Sequence, residues 1–203
     1  MALMAGIGES RTLPPELPGE ILEAAPYACF VLTDALAFVY CNAAWDRFAL
    51  QNGGGVQVLA AQIISRNLLD FIPSELKNYH TDLFVKARSL GRSVSHDYEC
   101  SSPAAFRRFR MHIYPMQAGR GFAVINSLTV ERPHDRVSWA PDDGVYRNSN
   151  GLIRMCANCR RTNRVGRPDA WDWVPAYMEH TRRDITHGVC PVCEEYYYGD
   201  VLH

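Results

Sequence analysis

The sequence has no long hydrophobic run and no leader-like start. Its longest apolar stretches, such as residues 24–32, are far shorter than the roughly 20 residues that a membrane-spanning helix needs. Residues 1–20 lack a basic segment followed by a sustained apolar one, so they do not resemble a signal peptide. These absences predict a cytoplasmic protein that does not partner with a membrane.

The chain also has almost no net charge. Its 21 basic residues are balanced by 22 acidic ones, so no overall field attracts it to nucleic acid or to a membrane surface. Hydrophobic residues make up 47%, which is too high for general disorder. A length of 203 residues predicts one medium domain, alone or with a second small one.

Recognisable catalytic motifs are missing as well. The sequence contains no glycine-rich phosphate loop, no serine elbow and no H-E-x-x-H motif. It also lacks the signatures of a kinase, cyclase or helix-turn-helix output. We therefore expect a protein that is not an enzyme.

The first part of the chain contains alternating patterns of helix and strand. "GEILEAA" (19–25) predicts a short helix, and "CFVLTDALAFVYCN" (29–42) predicts a β-hairpin that turns at Thr33 and Asp34. "AAWDRFAL" (43–50) then has Trp45 and Phe48 at helical spacing. Residues 1–18, with "LPPELP", form a predicted flexible lead.

A long helix and three strands follow. The helix is predicted over 74–91, with Ser74 as N-cap and Gly91 just after its end, and His80 lies on its apolar stripe. The strands are predicted at 93–100, 106–116 and 121–131. The middle strand alternates, so that Phe109 and Met111 should face the core.

This element order resembles the PAS sensory domain over residues 19–132. The resemblance rests on "PYACFVLTDALAFVYCNAAWDRFA", on "NLLDFIPSEL", on the helix ending in "SLG" and on the last three strands. It implies an α+β fold with a five-stranded antiparallel sheet, flanked by helices around a small pocket. A small-molecule ligand in that pocket and a homodimer formed through the "GEILEAA" helix are what the resemblance implies.

The resemblance also draws attention to His80. Haem-binding PAS domains have their proximal histidine on the corresponding long helix, so His80 is a candidate pocket residue and haem a possible cofactor. A single histidine on an apolar face is more often a hydrogen-bonded core residue, which is the interpretation that we favour. His96 and His112 lie on predicted strands and give no further signal.

The C-terminal part is marked by two C-x2-C pairs. Cys156 and Cys159 form one pair, and Cys190 and Cys193 form the other, thirty residues further on. In a reducing compartment, paired cysteines bind metal or do redox work more often than they form disulfides. Four thiolates suit one tetrahedral ion. We favour structural Zn²⁺, with iron and a redox-active dithiol as the alternatives.

The spacer between the pairs and the small size of this unit add two expectations. "WDWVPAYMEHTRR" (171–183) predicts a helix with Pro175 in its first turn. The 52 residues of 152–203 bury too little to be stable without the metal. Residues 133–151 are rich in Pro, Asp, Asn and Gly and read as a linker that transmits little stability between the two units.

The same region resembles a short cysteine module at the C-terminus of many bacterial PAS and receiver-type signalling proteins. The matching positions are Cys156, Cys159, Trp173, Tyr177, His187, Gly188, Cys190, Pro191 and Cys193. The run after the first pair departs from the usual pattern, with arginines and little acid. Because all four sulfurs are available as ligands, His187 is predicted to support a ligand by hydrogen bonding.

The sequence as a whole predicts a sensor or adaptor in bacterial signalling. The PAS-like unit would bind a small ligand or a partner, and the zinc module would present an interaction surface to a signalling protein. A second hypothesis is a nucleic-acid-binding regulator, because residues 154–167 hold five arginines and no acid. Since residues 151–203 hold seven basic and seven acidic groups, we favour a solvated face instead. A third hypothesis is a thiol-redox or haem-based sensor.

Overall fold

A computed structural model of the chain describes residues 19–52, 54–179 and 184–202. The predicted lead, residues 1–18, lies outside the described residues. The α-helices are α1 (Gly19–Ala24), α2 (Ala43–Gln51), α3 (Ala60–Ile63), α4 (Lys77–Leu90), α5 (Asp143–Tyr146) and α6 (Pro191–Leu202). Among these helices, none is long and apolar enough to cross a membrane.

Five strands form the first sheet, and all of its neighbouring pairs are antiparallel. The strands are β1 (Ala28–Leu32), β2 (Phe38–Cys41), β3 (Val94–Glu99), β4 (Ala105–Pro115) and β5 (Phe122–Pro133). Their order across the sheet is β2-β1-β5-β4-β3. This sheet, with α1–α4 around it, confirms the α+β fold class and each strand predicted between residues 29 and 131.

The turns of this sheet follow from local chemistry. In the β1–β2 hairpin, the Thr33 hydroxyl accepts a hydrogen bond from the Ala37 amide at 3.1 Å, as predicted for a turn at Thr33 and Asp34. Between β4 and β5, Gly121 has φ +99°, and a Cβ there would clash with the Leu32 carbonyl oxygen. The two hairpins can therefore approach closely only with glycine at position 121.

The long helix begins later than predicted. Ser74–Leu76 form a 3₁₀ turn, and the α-helix starts at Lys77 without a side-chain N-cap. It ends as predicted at Gly91, which adopts a left-handed conformation with φ +59°. Phe84 and Ala87 of this helix are buried against the sheet.

The core of the first unit lies between the sheet and helices α2–α4. Trp45 of α2 contacts the rings of Phe30 and Phe38, and its indole nitrogen donates to the Val58 carbonyl at 2.8 Å. Phe109 and Met111 face inward on β4, whereas Arg110 between them is exposed, as the alternation predicted.

A second, four-stranded sheet forms the C-terminal unit. Its strands are β6 (Ile153–Cys156), β7 (Thr162–Arg164), β8 (Arg167–Asp172) and β9 (Ile185–Gly188). Their order is β8-β7-β6-β9, and only the β6–β9 pair is parallel.

The prediction of a helix at 171–183 is wrong for residues 171–179, which the structure describes. Trp171 pairs with Asn163 in the β7–β8 ladder, and only Pro175–Tyr177 form a single 3₁₀ turn. Trp173 is held extended as well, because its carbonyl accepts a hydrogen bond from the Trp139 amide at 2.8 Å. Sheet pairing thus outweighs the helical spacing of the aromatic residues. Residues 180–183 lie outside the described part of the chain.

The segment predicted as a linker contributes to the second unit. Helix α5 lies within residues 133–151, and Tyr146 at its end is buried with Ile153, Val174 and Tyr177. The Tyr146 hydroxyl donates to Asp172 at 2.8 Å. Part of this segment is therefore packed against the second sheet instead of joining two units loosely.

The two units also pack against each other. Leu76 and Tyr79, at the start of the long helix, share one buried cluster with the four paired cysteines and with Tyr198 of α6. At the edge of this junction, Arg154 forms an ion pair with Glu75 at 3.0 Å. The two units are therefore in direct contact, whereas the sequence predicted a linker that transmits little stability between them.

Candidate metal centre

The two cysteine pairs converge on one point. The ligand atoms of Cys156, Cys159, Cys190 and Cys193 all lie within 4.8 Å of one another, and all four residues are buried. Zinc–sulfur bonds of about 2.3 Å in a tetrahedron require sulfurs about 3.8 Å apart. The Cys159 and Cys190 sulfurs are 3.6 Å apart, so the cluster has the size of a four-sulfur metal site.

Backbone pairing explains why the pairs meet although thirty residues separate them. The parallel ladder of β6 and β9 places Cys156 beside Gly188. The first pair lies in a tight turn, in which the Cys156 amide donates to the Arg161 carbonyl at 2.8 Å and the Arg160 amide donates to the Cys156 carbonyl at 3.1 Å. Arg160 closes this turn in a left-handed conformation, with φ +63°.

The second pair lies at the start of α6. Cys190 directly precedes the helix, and Pro191 occupies its first position, where the missing amide hydrogen costs nothing. The Glu194 amide donates to the Cys190 carbonyl at 2.9 Å, which sets Cys193 in the first helical turn. The Cys190 amide points at the Cys156 sulfur at 3.5 Å, an N–H···S contact that stabilises negative charge on that sulfur.

The electrostatics of the cluster favour a bound cation. The pKa of Cys156 is far below its usual value because the Cys159 thiol donates to its sulfur, and the pKa of Cys193 is raised because its thiol donates to Cys156. Four sulfurs at this separation repel one another as thiolates, whereas a divalent ion between them allows all four to be deprotonated. The donor set therefore fits one metal ion such as zinc or iron.

A nearby arginine responds to the same charge. Burial lowers the pKa of Arg161, but the negative sulfurs of Cys159 and Cys190 outweigh this effect and raise it above the usual value. A metal ion bound by four thiolates carries two net negative charges. Arg161 therefore balances part of the charge that the filled site would have.

Aromatic residues connect the cysteine cluster to helix α4. Asn158, between the first two cysteines, donates its side-chain amide to the Tyr198 hydroxyl at 3.0 Å. The Tyr198 ring meets the Tyr79 ring of α4 edge-on, with centroids 4.9 Å apart. The turn that holds the first cysteine pair, residues 156–161, is called the metal turn below. It is connected to α4 through the side chains of Asn158 and Tyr198.

His80 lies at this junction. Its Nδ1 donates to the Leu76 carbonyl at 3.0 Å, and its ring centroid is 6.5 Å from that of Tyr198 and 6.0 Å from that of His96. Burial lowers the pKa of His80, which favours the neutral ring. Its role in a pocket, with or without haem, stays a prediction.

His187, which was predicted to support a metal ligand, lies on β9 opposite Met155. Its side chain is exposed, and the structure gives it no hydrogen bond to a sulfur of the described cysteines. A supporting role for His187 stays a prediction.

Sequence reasoning missed His96 and the pair Glu99–Arg136. His96 on β3 is buried, its Nδ1 shares a 2.9 Å hydrogen bond with the Tyr79 hydroxyl, and burial lowers its pKa to about 4. The alternation of β3 was the available signal, because Val94, His96 and Tyr98 share the inner face. No signal indicated that Glu99 pairs with Arg136, a residue of the predicted linker.

Comparisons with known proteins give fold likenesses only. No protein-family model matches the chain, and no curated protein sequence matches it either. Solved structures similar to it include the PAS domain of nitrogen regulation protein NR(II) from Vibrio parahaemolyticus, with 19% identity, 58% of this chain and 98% of that chain covered, and a TM-score of 0.35. The PAS domain of BvgS from Bordetella pertussis has 11% identity, with 57% of this chain and 84% of that chain covered and a TM-score of 0.40. A domain of an HTR-like protein from Haloarcula marismortui ATCC 43049 has 14% identity, with 52% of this chain and 100% of that chain covered and a TM-score of 0.39.

Proposed function

We propose that the chain is a cytoplasmic signalling sensor or adaptor without enzymatic activity. Its PAS-like unit, residues 19–132 and called the sensor unit from here on, binds a small ligand or a partner. Its C-terminal unit, residues 152–203, is held together by one zinc ion at Cys156, Cys159, Cys190 and Cys193. That unit presents an interaction surface to a downstream signalling protein.

One observation carries this proposal: the four cysteines are buried against the long helix of the sensor unit. Leu76 and Tyr79 pack into the same cluster as the cysteines, and the Tyr198 ring contacts Tyr79. A shift of α4 changes the surroundings of the metal turn directly. A signal from the sensor unit therefore has a packed route into the C-terminal unit.

Helix α6 provides the surface for a partner. Its buried side carries Cys193 and Tyr198, whereas Val192 and Tyr196 are 63% and 68% exposed. Exposed apolar and aromatic side chains with a polar rim are typical of protein interaction sites. Glu194 and Glu195 supply the acidic neighbours on α6.

The nucleic-acid alternative is weakened by the contacts of the arginines in residues 154–167. Arg164 pairs with Asp172 at 2.5 Å, and Arg154 pairs with Glu75. Arg161 lies in the field of the cysteine sulfurs, and Arg160 is half-buried beside Cys100, away from the outer surface. Arg167 is the exposed one. Phosphate binding needs accessible cations, so a gel shift that falls steeply with salt and is lost in Arg167→Gln would favour the alternative instead.

The metal and absorption spectrum of the purified protein test this proposal. We expect about one zinc per chain and a colourless sample, because four thiolates saturate the ion. One iron per chain, together with visible absorption, would show that the bound metal is iron and not zinc. A Soret band that disappears in His80→Ala but persists in His112→Ala would instead make the chain a haem-based sensor. Zinc that peroxide releases together with reversible disulfides would support the redox alternative.

Self-association through α1 is a further expectation. Leu22 of α1 packs on the outer sheet face near Val31 and Tyr40, whereas Ile21 is 68% exposed. We expect a homodimer in light scattering at tens of micromolar and a monomer for Ile21→Glu, since a charge opposes burial of that face. Leu90→Glu, at the far end of α4, is the control. A monomeric wild type contradicts the prediction.

A further inference from the structure

A cavity of about 630 Å³ lies where the sensor unit meets the metal turn. Its walls come from helix α2, from the ends of β3–β5 and from Arg160, which directly follows the ligand Cys159. Cavities of a few hundred Å³ are typical of small-molecule sites. This cavity therefore has the volume for a ligand and has walls from both units.

Aromatic rings form one side of the apolar wall. Phe48 of α2 meets Phe109 of β4 edge-on at 5.4 Å, and Tyr98 of β3 stacks on Phe109 at 5.7 Å. Trp45 completes this side. Because these rings are fixed by contacts with one another, they offer a preformed surface to a planar, apolar ligand.

The charge of the wall is positive. Arg107 is neutralised, since its Nε lies 2.5 Å from Glu131 and it also donates to the Asn52 side chain. Arg160, in contrast, has no carboxylate partner among the residues that the structure describes. Within the described residues, the side-chain hydrogen bond of Arg160 runs from its Nη2 to the Cys100 sulfur, at 3.7 Å. A half-buried guanidinium without a carboxylate is ready to bind an anion.

The backbone explains why Arg160 reaches this position. A non-glycine residue with φ +63° is uncommon, and such residues concentrate at functional sites. The conformation is held by the hydrogen bond from the Arg160 amide to the Cys156 carbonyl. Arg160 is therefore positioned by the same turn that holds two of the four sulfurs.

We propose that this cavity binds a planar aromatic carboxylate. The ring packs against Trp45, Phe48 and Phe109, and the carboxylate forms an ion pair with Arg160. The bound molecule then connects the sensor unit to the metal turn. This assignment deepens the proposed sensor function and rests on it, by naming the class of ligand and the residue that reports its binding.

The test uses the full zinc-loaded chain and two probes, 2-naphthoate and the neutral 2-naphthamide, in titration calorimetry. The two share a ring system and differ in charge. We expect 2-naphthoate to bind one per chain and about tenfold or more tighter than 2-naphthamide, the ratio that a charge-assisted hydrogen bond gives. Arg160→Gln should remove this difference and leave 2-naphthamide unchanged. Arg167→Gln, an exposed change in the same segment, should behave like the wild type.

The reactivity of Cys100 gives a second readout, because this cysteine lines the cavity. Cys100 is half-buried, whereas the other described cysteines are buried. Bound 2-naphthoate should slow alkylation of Cys100 by iodoacetamide, measured by peptide mass mapping, in the wild type but not in Arg160→Gln. The probe comparison on the wild type needs no variant, so it stands even where Arg160→Gln folds poorly.

Equal affinities for the two probes overturn the proposal, and so does 2-naphthoate binding that Arg160→Gln leaves unchanged. A chain that keeps its zinc but binds neither probe overturns the cavity assignment and leaves the proposed metal-held adaptor standing. A chain that binds no metal contradicts the proposed function, regardless of how the two probes bind.

Discussion

Removal of the metal is expected to unfold the C-terminal unit and to lower the melting temperature of the sensor unit as well. Structural zinc contributes on the order of 10–16 kcal/mol of apparent binding free energy in small domains at neutral pH. This is comparable to the whole stability of a typical domain, about 5–15 kcal/mol. The 52 residues of 152–203 cannot replace it by burial alone. Chelation or Cys190→Ser should therefore abolish near-UV circular dichroism from Trp171 and Trp173.

The effect on the sensor unit follows from the junction. Leu76 and Tyr79 are 3% and 8% exposed, and they share one buried cluster with the four cysteines, Val189 and Tyr198. Exposing large apolar side chains costs about 1.5–3 kcal/mol each. We thus expect the two units to lose stability together, unlike the independent melting that a loose linker would allow.

Cys100→Ser is the matched control for Cys190→Ser. Cys100 is a half-buried thiol outside the cluster of four, so its substitution should leave the metal content and the melting temperature close to those of the wild type. Thermal unfolding followed by fluorescence, with zinc release measured by a chromogenic chelator, compares the two. A C-terminal unit that stays folded without metal would falsify the assignment.

The parts of the fold that could be predicted are those with short-range patterns. The β1–β2 hairpin combines two apolar runs with a turn at Thr33, and α4 combines an apolar stripe with a glycine at its end. The four cysteines were identifiable because a C-x2-C pair wraps one edge of a tetrahedron in a few residues. Each of these signals is contained within a single stretch of chain.

The parts that could not be predicted depend on distant partners. β6 pairs with β9 across about thirty residues of sequence, for example Ile153 with Ile185, and neither short strand has a pattern that identifies its neighbour. The aromatic spacing at 171–177 fits a helix equally well, so only the pairing of Trp171 with Asn163 decides between the two. The contact of Tyr198 with Tyr79 joins two units that the composition of 133–151 separates.

The buried pair of Arg136 and Glu99 is expected to give the second large effect. Their side chains are 11% and 5% exposed, and Nη2 of Arg136 lies 2.7 Å from the Glu99 carboxylate. The other arm of the guanidinium donates to the Cys159 carbonyl at 2.8 Å. Arg136 therefore joins the end of β3 to the metal turn.

Arg136→Ala leaves the Glu99 carboxylate buried without its cation, with Ser101 as a hydrogen-bond donor to it. Removing one partner of a buried ion pair costs about 3–5 kcal/mol, because the remaining charge stays desolvated. We expect a loss of this size in urea unfolding of the zinc-loaded chain. Arg132→Ala is the control, since the Arg132–Asp135 pair is largely exposed and should contribute about 0–1 kcal/mol.

A rescue variant separates the charge from the packing of the arginine. Glu99→Gln in the Arg136→Ala background removes the unpaired charge while keeping the shape of the side chain, so most of the lost stability should return. If the loss came from the contact of Arg136 with the Trp173 ring, 5.0 Å from the guanidinium, the second substitution would restore nothing. An Arg136→Ala protein as stable as Arg132→Ala contradicts the prediction. It would mean that Arg136 adds little to the junction between the two units, which would then depend on the apolar cluster around Tyr79 and on the Arg154–Glu75 ion pair.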